Sequence, residues 1–247
     1  MSSRTHPVRR AIILAAGNGD RFRTPAHDSK LLQPLLGRPI LLRTLDAARE
    51  AGIERVTIVL GYQAAHVRAL AARAAGPRFS LSFVVNPEWH LENGVSALAA
   101  EREAGGEPFA LLMADHVFDP DVLARMCRLP LDHDESVLAI DTRDVPPDVA
   151  DEATKVRLDG TRIVAIGKDL LEYDALDTGV FVCAPVLFDA LRAAQTAGDT
   201  TLSGGIRRLA ARGLVRGFDI GDAGWCDIDT VSDLAAAESA LADGIPA

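Results

Sequence analysis

Apolar runs that read as strands alternate with helix-period segments through the first 118 residues, and that rhythm restricts the chain to parallel βαβ units. The expected strands are 8–16 (VRRAIILAA), 55–60 (RVTIVL), 80–85 (SLSFVV) and 109–114 (FALLMA). Helical spacing covers 40–51, ending at Gly52, then 62–75 and 94–104. Beyond Asp119 the rhythm changes. Strands are expected at 136–140, 154–158, 162–166 and 179–183, with Asp159-Gly160 as a hairpin signal, and helices at 186–197, 203–212 and 231–242. These elements predict an α/β, Rossmann-like, three-layer fold whose mixed, mostly parallel sheet is extended by an antiparallel hairpin. No repeat, low-complexity tract or linker divides the chain, so residues 1–247 are expected to form a single domain whose halves, 1–118 and 119–247, share one sheet.

A hydrophobic content of 48% over 247 residues suffices for one large core. Cys127, Cys183 and Cys226 are odd in number and widely spaced, which favours neither a disulfide framework nor a zinc site. The opening MSSRTHPVRR lacks the apolar stretch of a signal peptide, and eighteen apolar residues never run together, so a cytoplasmic protein without a membrane segment is expected. A net charge of −9 argues against a nucleic-acid partner. A small anionic substrate then requires Lys and Arg side chains to converge locally. Homodimer formation stays open.

The first strand runs into Gly17-Asn18-Gly19, at the strand-end position where open α/β sheets bind ligands. Phe22 stands where a dinucleotide fingerprint needs its third glycine, and no Gly-Lys-Ser/Thr follows as a P-loop demands. What remains is a glycine turn exposing backbone N–H groups, with Arg21 and Lys30 near enough to close over one anion. A plain structural turn flanked by two solvated cations is the competing reading. The string LAAGNGDRF, followed by Lys30 and LLQPLLGRPIL, resembles the signature of the sugar-nucleotide pyrophosphorylase superfamily. Asp20 stands where that signature has a small hydroxyl, and Ser29 replaces the proline before the lysine. The resemblance implies a nucleotidyltransferase (GT-A-like) version of the fold, with 1–118 as the nucleotide-binding half and 119–247 as the acceptor-binding half. It assigns Arg21 and Lys30 to the triphosphate of the bound nucleotide and to the departing pyrophosphate.

Asp115 closes the strand FALLMA, and a carboxylate there is costly unless it is paired or bound to metal. Asp227 and Asp229 lie in WCDIDT before the last helix, where Asp229 and Thr230 also suit helix capping. Together the segments resemble the superfamily's metal site, which implies Mg²⁺ held by Asp115 and Asp229, with Asp227 orienting substrate or a metal-bound water. His116 is read as supporting or packing against this site rather than as a base.

In the second half MADHVFDP, DEATKV, IGKDL and YDALDTGVFV closely resemble inositol-1-phosphate cytidylyltransferases, the enzymes that make CDP-inositol. That resemblance implies CTP, or another nucleoside triphosphate, and a small phosphorylated polyol as substrates. An acceptor that already carries a phosphate must approach a polyphosphate against strong repulsion, so cations should recur in this half. Lys168 is assigned to align the incoming phosphate, with Lys155 beside it. Glu152, Asp177, Thr178 and Gly179 are candidates for the polyol hydroxyls. Base recognition is expected from Leu14, Ala15, Ala16 and Gly17 with Gly19, and from Asn93, Gly94 and Ser96, although glycine and a capping serine are also ordinary loop chemistry. The rival readings are another cyclitol phosphate, phosphocholine or a sugar 1-phosphate as acceptor, another nucleotide, or a non-catalytic nucleotide sensor.

Overall fold

The computed structural model describes residues 7–22, 29–145 and 147–242. The expected loop Thr24-Pro25-Ala26-His27-Asp28 lies outside the described residues. In chain order the elements are β1 (Arg10–Ala15), β2 (Pro34–Leu35), β3 (Arg38–Pro39), α1 (Ile40–Glu50), β4 (Arg55–Leu60), α2 (Ala64–Ala71), β5 (Ser80–Val85), α3 (Asn93–Ala99), α4 (Glu101–Ala104) and β6 (Phe109–Met113). They continue as β7 (His116–Phe118), α5 (Pro120–Met126), β8 (Ser136–Asp141), α6 (Pro147–Glu152), β9 (Lys155–Asp159), β10 (Arg162–Gly167), β11 (Ala175–Cys183), α7 (Val186–Thr196), α8 (Leu202–Ala210), β12 (Val215–Asp219), β13 (Trp225–Asp227) and α9 (Val231–Ala242).

Among these residues the main sheet has nine strands in the order β5-β4-β1-β6-β11-β8-β12-β10-β9. The first four are mutually parallel, as the βαβ rhythm demands. β11 then enters antiparallel between β6 and β8, and β12 returns parallel to β8. The β9–β10 hairpin is antiparallel and also reaches β11. Its turn residues are Gly160 and Thr161, because Asp159 already pairs with Arg162. Gly160 has φ 58, so the glycine takes the first central position rather than the second.

β1 shows how the layers are made. Its side chains alternate across the sheet. Ala11, Ile13 and Ala15 pack with Leu41, Leu45, Val67 and Leu123 on one face, whereas Ile12 and Leu14 pack with Ala97, Leu187 and Ile206 on the other. Both faces are thus covered by helices, which explains the unbroken apolar run of β1. A third, smaller cluster joins Phe22, Leu35, Ile40, Val117, Ile228 and Ala237, and ties the chain after the glycine turn to β7 and α9. No helix among the described residues is long and apolar enough to cross a membrane.

Candidate active site

The glycine turn follows directly from β1. Tyr62 N donates to Ala16 O at 2.9 Å and Phe22 N to Gly19 O at 2.8 Å, so the turn is fixed at both ends. Leu14, Ala15 and Ala16 are buried, whereas the backbone at Gly17 is exposed. Asp20 is occupied by Asn18, whose side-chain amide donates to it at 2.8 Å. Ser29 accepts from Leu31 N at 3.4 Å, capping a short 3₁₀ turn over Lys30–Leu32. That turn sends Lys30 inward beneath the loop. A Cβ on Gly19 would lie 3.1 Å from Lys30 Cδ, so glycine there lets the loop rest on the lysine stem.

Asp115 and Asp229 are brought together by backbone pairing rather than by sequence proximity. β7 and β13 form a short antiparallel ladder with Asp227 opposite His116, and Ile228 N donates to Asp115 O at 3.1 Å. Both carboxylates then face one cation: Lys30 Nζ lies 2.7 Å from Asp115 and 2.6 Å from Asp229. Lys30 is only 8% exposed. Burial opposes its charge, yet the two carboxylates outweigh that cost and raise its pKa. Burial likewise opposes ionisation of Asp115, and Lys30 with His116 reverses the balance and lowers its pKa. Two carboxylates that share one ammonium ion supply hard, negatively charged oxygens. Although no group of three or more metal-ligating side chains is assembled among the described residues, such a pair fits an ion like Mg²⁺ that takes its other ligands from water and substrate phosphate.

Arg21 pairs with Asp229 and reaches Glu152 at 3.0 Å. Thr230 and Asp233 cap α9 reciprocally: Asp233 accepts from Thr230 N at 2.6 Å while Thr230 Oγ1 accepts from Asp233 N at 3.2 Å. The cap therefore leaves the Asp229 carboxylate to the cations. His116 Nδ1 is 3.0 Å from Asp115, and its ring fills the space above Gly179, where a Cβ would come within 2.5 Å. Gly179 has φ 75, so both conformation and close approach call for glycine.

A cavity of about 760 Å³ adjoins this centre, and Glu152, Lys168, Asp177, Gly179 and Asp227 line it together with His116. Burial pushes the Asp177 carboxyl up to about 6, although its bond from Gly179 N at 2.8 Å works against that shift. Lys168 makes no ion pair with a described residue. Lys155 turns away and donates to Lys168 O at 3.1 Å. The Thr178 hydroxyl, expected at the polyol, instead donates to Ala139 O at 2.9 Å inside the core. Ser96 is not a cap but a buried residue inside α3, bonded to Asn86 at 3.0 Å. Gly94 lies against the Thr200 and Thr201 carbonyls, and Asn93 lines the cavity while accepting from Leu202 N at 2.8 Å.

Residues without an assigned part also line this cavity, Asp141, Arg143 and Trp225 among them. Asp141 could have been singled out by the signal that marks Asp115, since it too is a carboxylate closing an apolar strand, SVLAID.

Among known proteins, the chain is 36% identical to a bifunctional IPC transferase and DIPP synthase of Rubrobacter xylanophilus, over 92% of this chain and 51% of that one. It is 33% identical to the protein of the same name from Thermococcus kodakarensis, over 94% of this chain and 50% of that one. The chain thus spans about half the length of the curated relatives it matches. The solved inositol-1-phosphate CTP transferase from T. maritima superposes with a TM-score of 0.82 at 26% identity, covering 99% of this chain and 100% of the other. A UDP-glucose pyrophosphorylase at 20% identity, with a TM-score of 0.78 over 96% of this chain and 99% of that one, shares the fold. Residues 11–214 match the MobA-like NTP transferase domain, which takes in the glycine turn, Lys30, Asp115 and most of the cavity wall, and the chain belongs to that family.

Proposed function

We propose that this chain is a Mg²⁺-dependent cytidylyltransferase that joins CMP from CTP to inositol 1-phosphate, giving CDP-inositol and pyrophosphate. The observation that carries the reading is the convergence of Asp115 and Asp229 on a single cation beside the glycine turn, with a cavity next to it that several charged side chains line. The relatives named above point to the same chemistry.

In this reading Asp115 and Asp229 hold Mg²⁺, which when bound lowers the negative charge around the α-phosphate. A phosphate oxygen of the acceptor attacks the α-phosphorus of CTP in line. A new P–O bond forms as the bond to the β-phosphate breaks, and the electron pair leaves with pyrophosphate. Arg21 and Lys30 supply positive charge to the triphosphate and to the leaving group. Lys168 holds the acceptor phosphate against repulsion, and because that nucleophile is already anionic no general base is needed. Leu14 to Gly17, Gly19 and Asn93 border the nucleotide, while Glu152, Asp177 and Asp227 serve the acceptor. Residues 1–118 then form the nucleotide-binding half and 119–247 the acceptor-binding half of one domain.

A panel of nucleoside triphosphates against inositol 1-phosphate, phosphocholine and sugar 1-phosphates, read by pyrophosphate release, tests this. CTP with inositol 1-phosphate should give the highest kcat/KM, and Asp115→Asn should remove most of it without unfolding the protein. CTP binding with no turnover on any acceptor refutes the catalytic reading, and wild-type-like turnover by Asp115→Asn refutes the role of that carboxylate.

A further inference from the structure

Asp141 ends β8 with its side chain only 2% exposed, and a buried carboxylate is expensive unless every oxygen is engaged. It is fully engaged. Arg143 donates from its backbone N at 2.9 Å, from Nε at 2.9 Å and from Nη2 at 2.8 Å, and the Trp225 indole N–H donates at 2.8 Å. Trp225 is held a second time by His116, whose ring lies parallel to the indole with centroids 6.5 Å apart. A network that merely tethered a turn could face anywhere. Here all three members line the cavity beside the proposed centre, and Arg143 keeps 42% of its side chain exposed.

Two of the five guanidinium N–H groups are used on Asp141, and the fork geometry leaves the others as fixed donors. Trp225 lies against His116 with ring centroids 6.5 Å apart and His116 Nδ1 is 3.0 Å from Asp115, which sets the wall within roughly 10 Å of the cation-binding carboxylates. That is about the length of a phosphorylated ring, so the wall meets the far end of an acceptor whose phosphate lies at the centre.

We infer that Arg143, positioned by Asp141, is a specificity-determining residue that donates to the hydroxyls of the acceptor's polyol body, with Trp225 as the adjoining apolar wall. The inference rests on the proposed nucleotidyl transfer to a polyol phosphate. Donors that a bound acceptor closes off from water discriminate against acceptors lacking the matching hydroxyls, because binding then removes their water without replacing it.

The test compares wild type, Arg143→Gln, Arg143→Lys and the neutral pair Asp141→Asn/Arg143→Gln, which avoids stranding a buried charge. Pyrophosphate release is followed with CTP and inositol 1-phosphate, and inorganic phosphate is titrated as an inhibitor competing with the acceptor. Wild-type turnover is the control for the reading beneath: its absence defeats that reading, not the role of Arg143. With turnover present, both Gln-containing variants should raise the KM for inositol 1-phosphate tenfold or more. Their kcat, their KM for CTP and their inhibition by phosphate should stay within twofold, and Arg143→Lys should recover part of the loss. An unchanged acceptor KM overturns the inference. A parallel loss of phosphate inhibition overturns it too, since Arg143 would then grip the phosphate and not the polyol.

Discussion

Lys30→Met removes the one ammonium that two carboxylates share, and the structure sets the size of the effect. Asp115 and Asp229 each lie within 2.7 Å of the lost nitrogen, and their side chains are only 26% and 19% exposed. At an effective dielectric constant near 20, two anions roughly 5 Å apart repel by about 3 kcal/mol. Breaking a buried ion pair by deleting one partner costs about 3–5 kcal/mol, and Arg21, still on Asp229, keeps the loss toward the lower end. For a domain of this size that corresponds to a fall in Tm of about 6–15 °C. Differential scanning calorimetry at pH 7.5 in EDTA should show it. Titrating Mg²⁺ should then restore much of the loss, because a divalent ion can take the vacated place, and an ion present at about 100 times its Kd contributes about 2.7 kcal/mol. Wild type should respond less, since the ion must first displace the lysine. Equal Mg²⁺ responses in the two proteins, or a Lys30→Met variant that melts with wild type in EDTA, would falsify this account of the carboxylate pair.

Asp177 predicts a pH dependence of stability. Its carboxyl is raised from 3.8 to about 6 by burial, so the folded protein binds this proton more tightly than the unfolded chain, and stability falls as pH rises from 3.8 through 6. Asp177→Asn keeps an acceptor for Gly179 N and should be more stable than wild type at pH 8, by up to about 3 kcal/mol, with the advantage gone near pH 4. Urea melts at the two pH values decide it, and a gain that is the same at both defeats the burial argument. Gly179→Ala combines φ 75 with a methyl 2.5 Å from the His116 ring, and should cost about 2–4 kcal/mol. An alanine variant with an unchanged urea midpoint would show that the ring yields freely.

Long elements were legible because periodicity is a local property. β4 and β5 fall on the expected residues, and α1 ends where Gly52 suggests. β7 and β13 were not, since each has three residues and exists only through pairing with the other across more than a hundred positions. β12 hides in VRGFD, where arginine and glycine interrupt the apolar pattern. The antiparallel entry of β11 follows from packing between β6 and β8, which no spacing encodes. For the candidate site, strand ends pointed to Asp115 and the glycine turn, which Lys30 links in the structure, whereas the direction of a hydroxyl is a tertiary decision. Thr178 and Ser96 therefore point into the protein despite sitting in promising strings. Asp159-Gly160 marked the hairpin but not which residues turn it.

β11 is hydrogen-bonded to β6 on one side and β8 on the other, so the seam between the first and second halves of the chain is itself a strand. Jaw-like opening would have to shear that strand from a neighbour and strand its backbone groups. The strand ends from which the glycine turn and the Arg143 loop project thus belong to one continuous sheet. For the transfer proposed above, a frame that does not hinge would select acceptors by length as much as by charge.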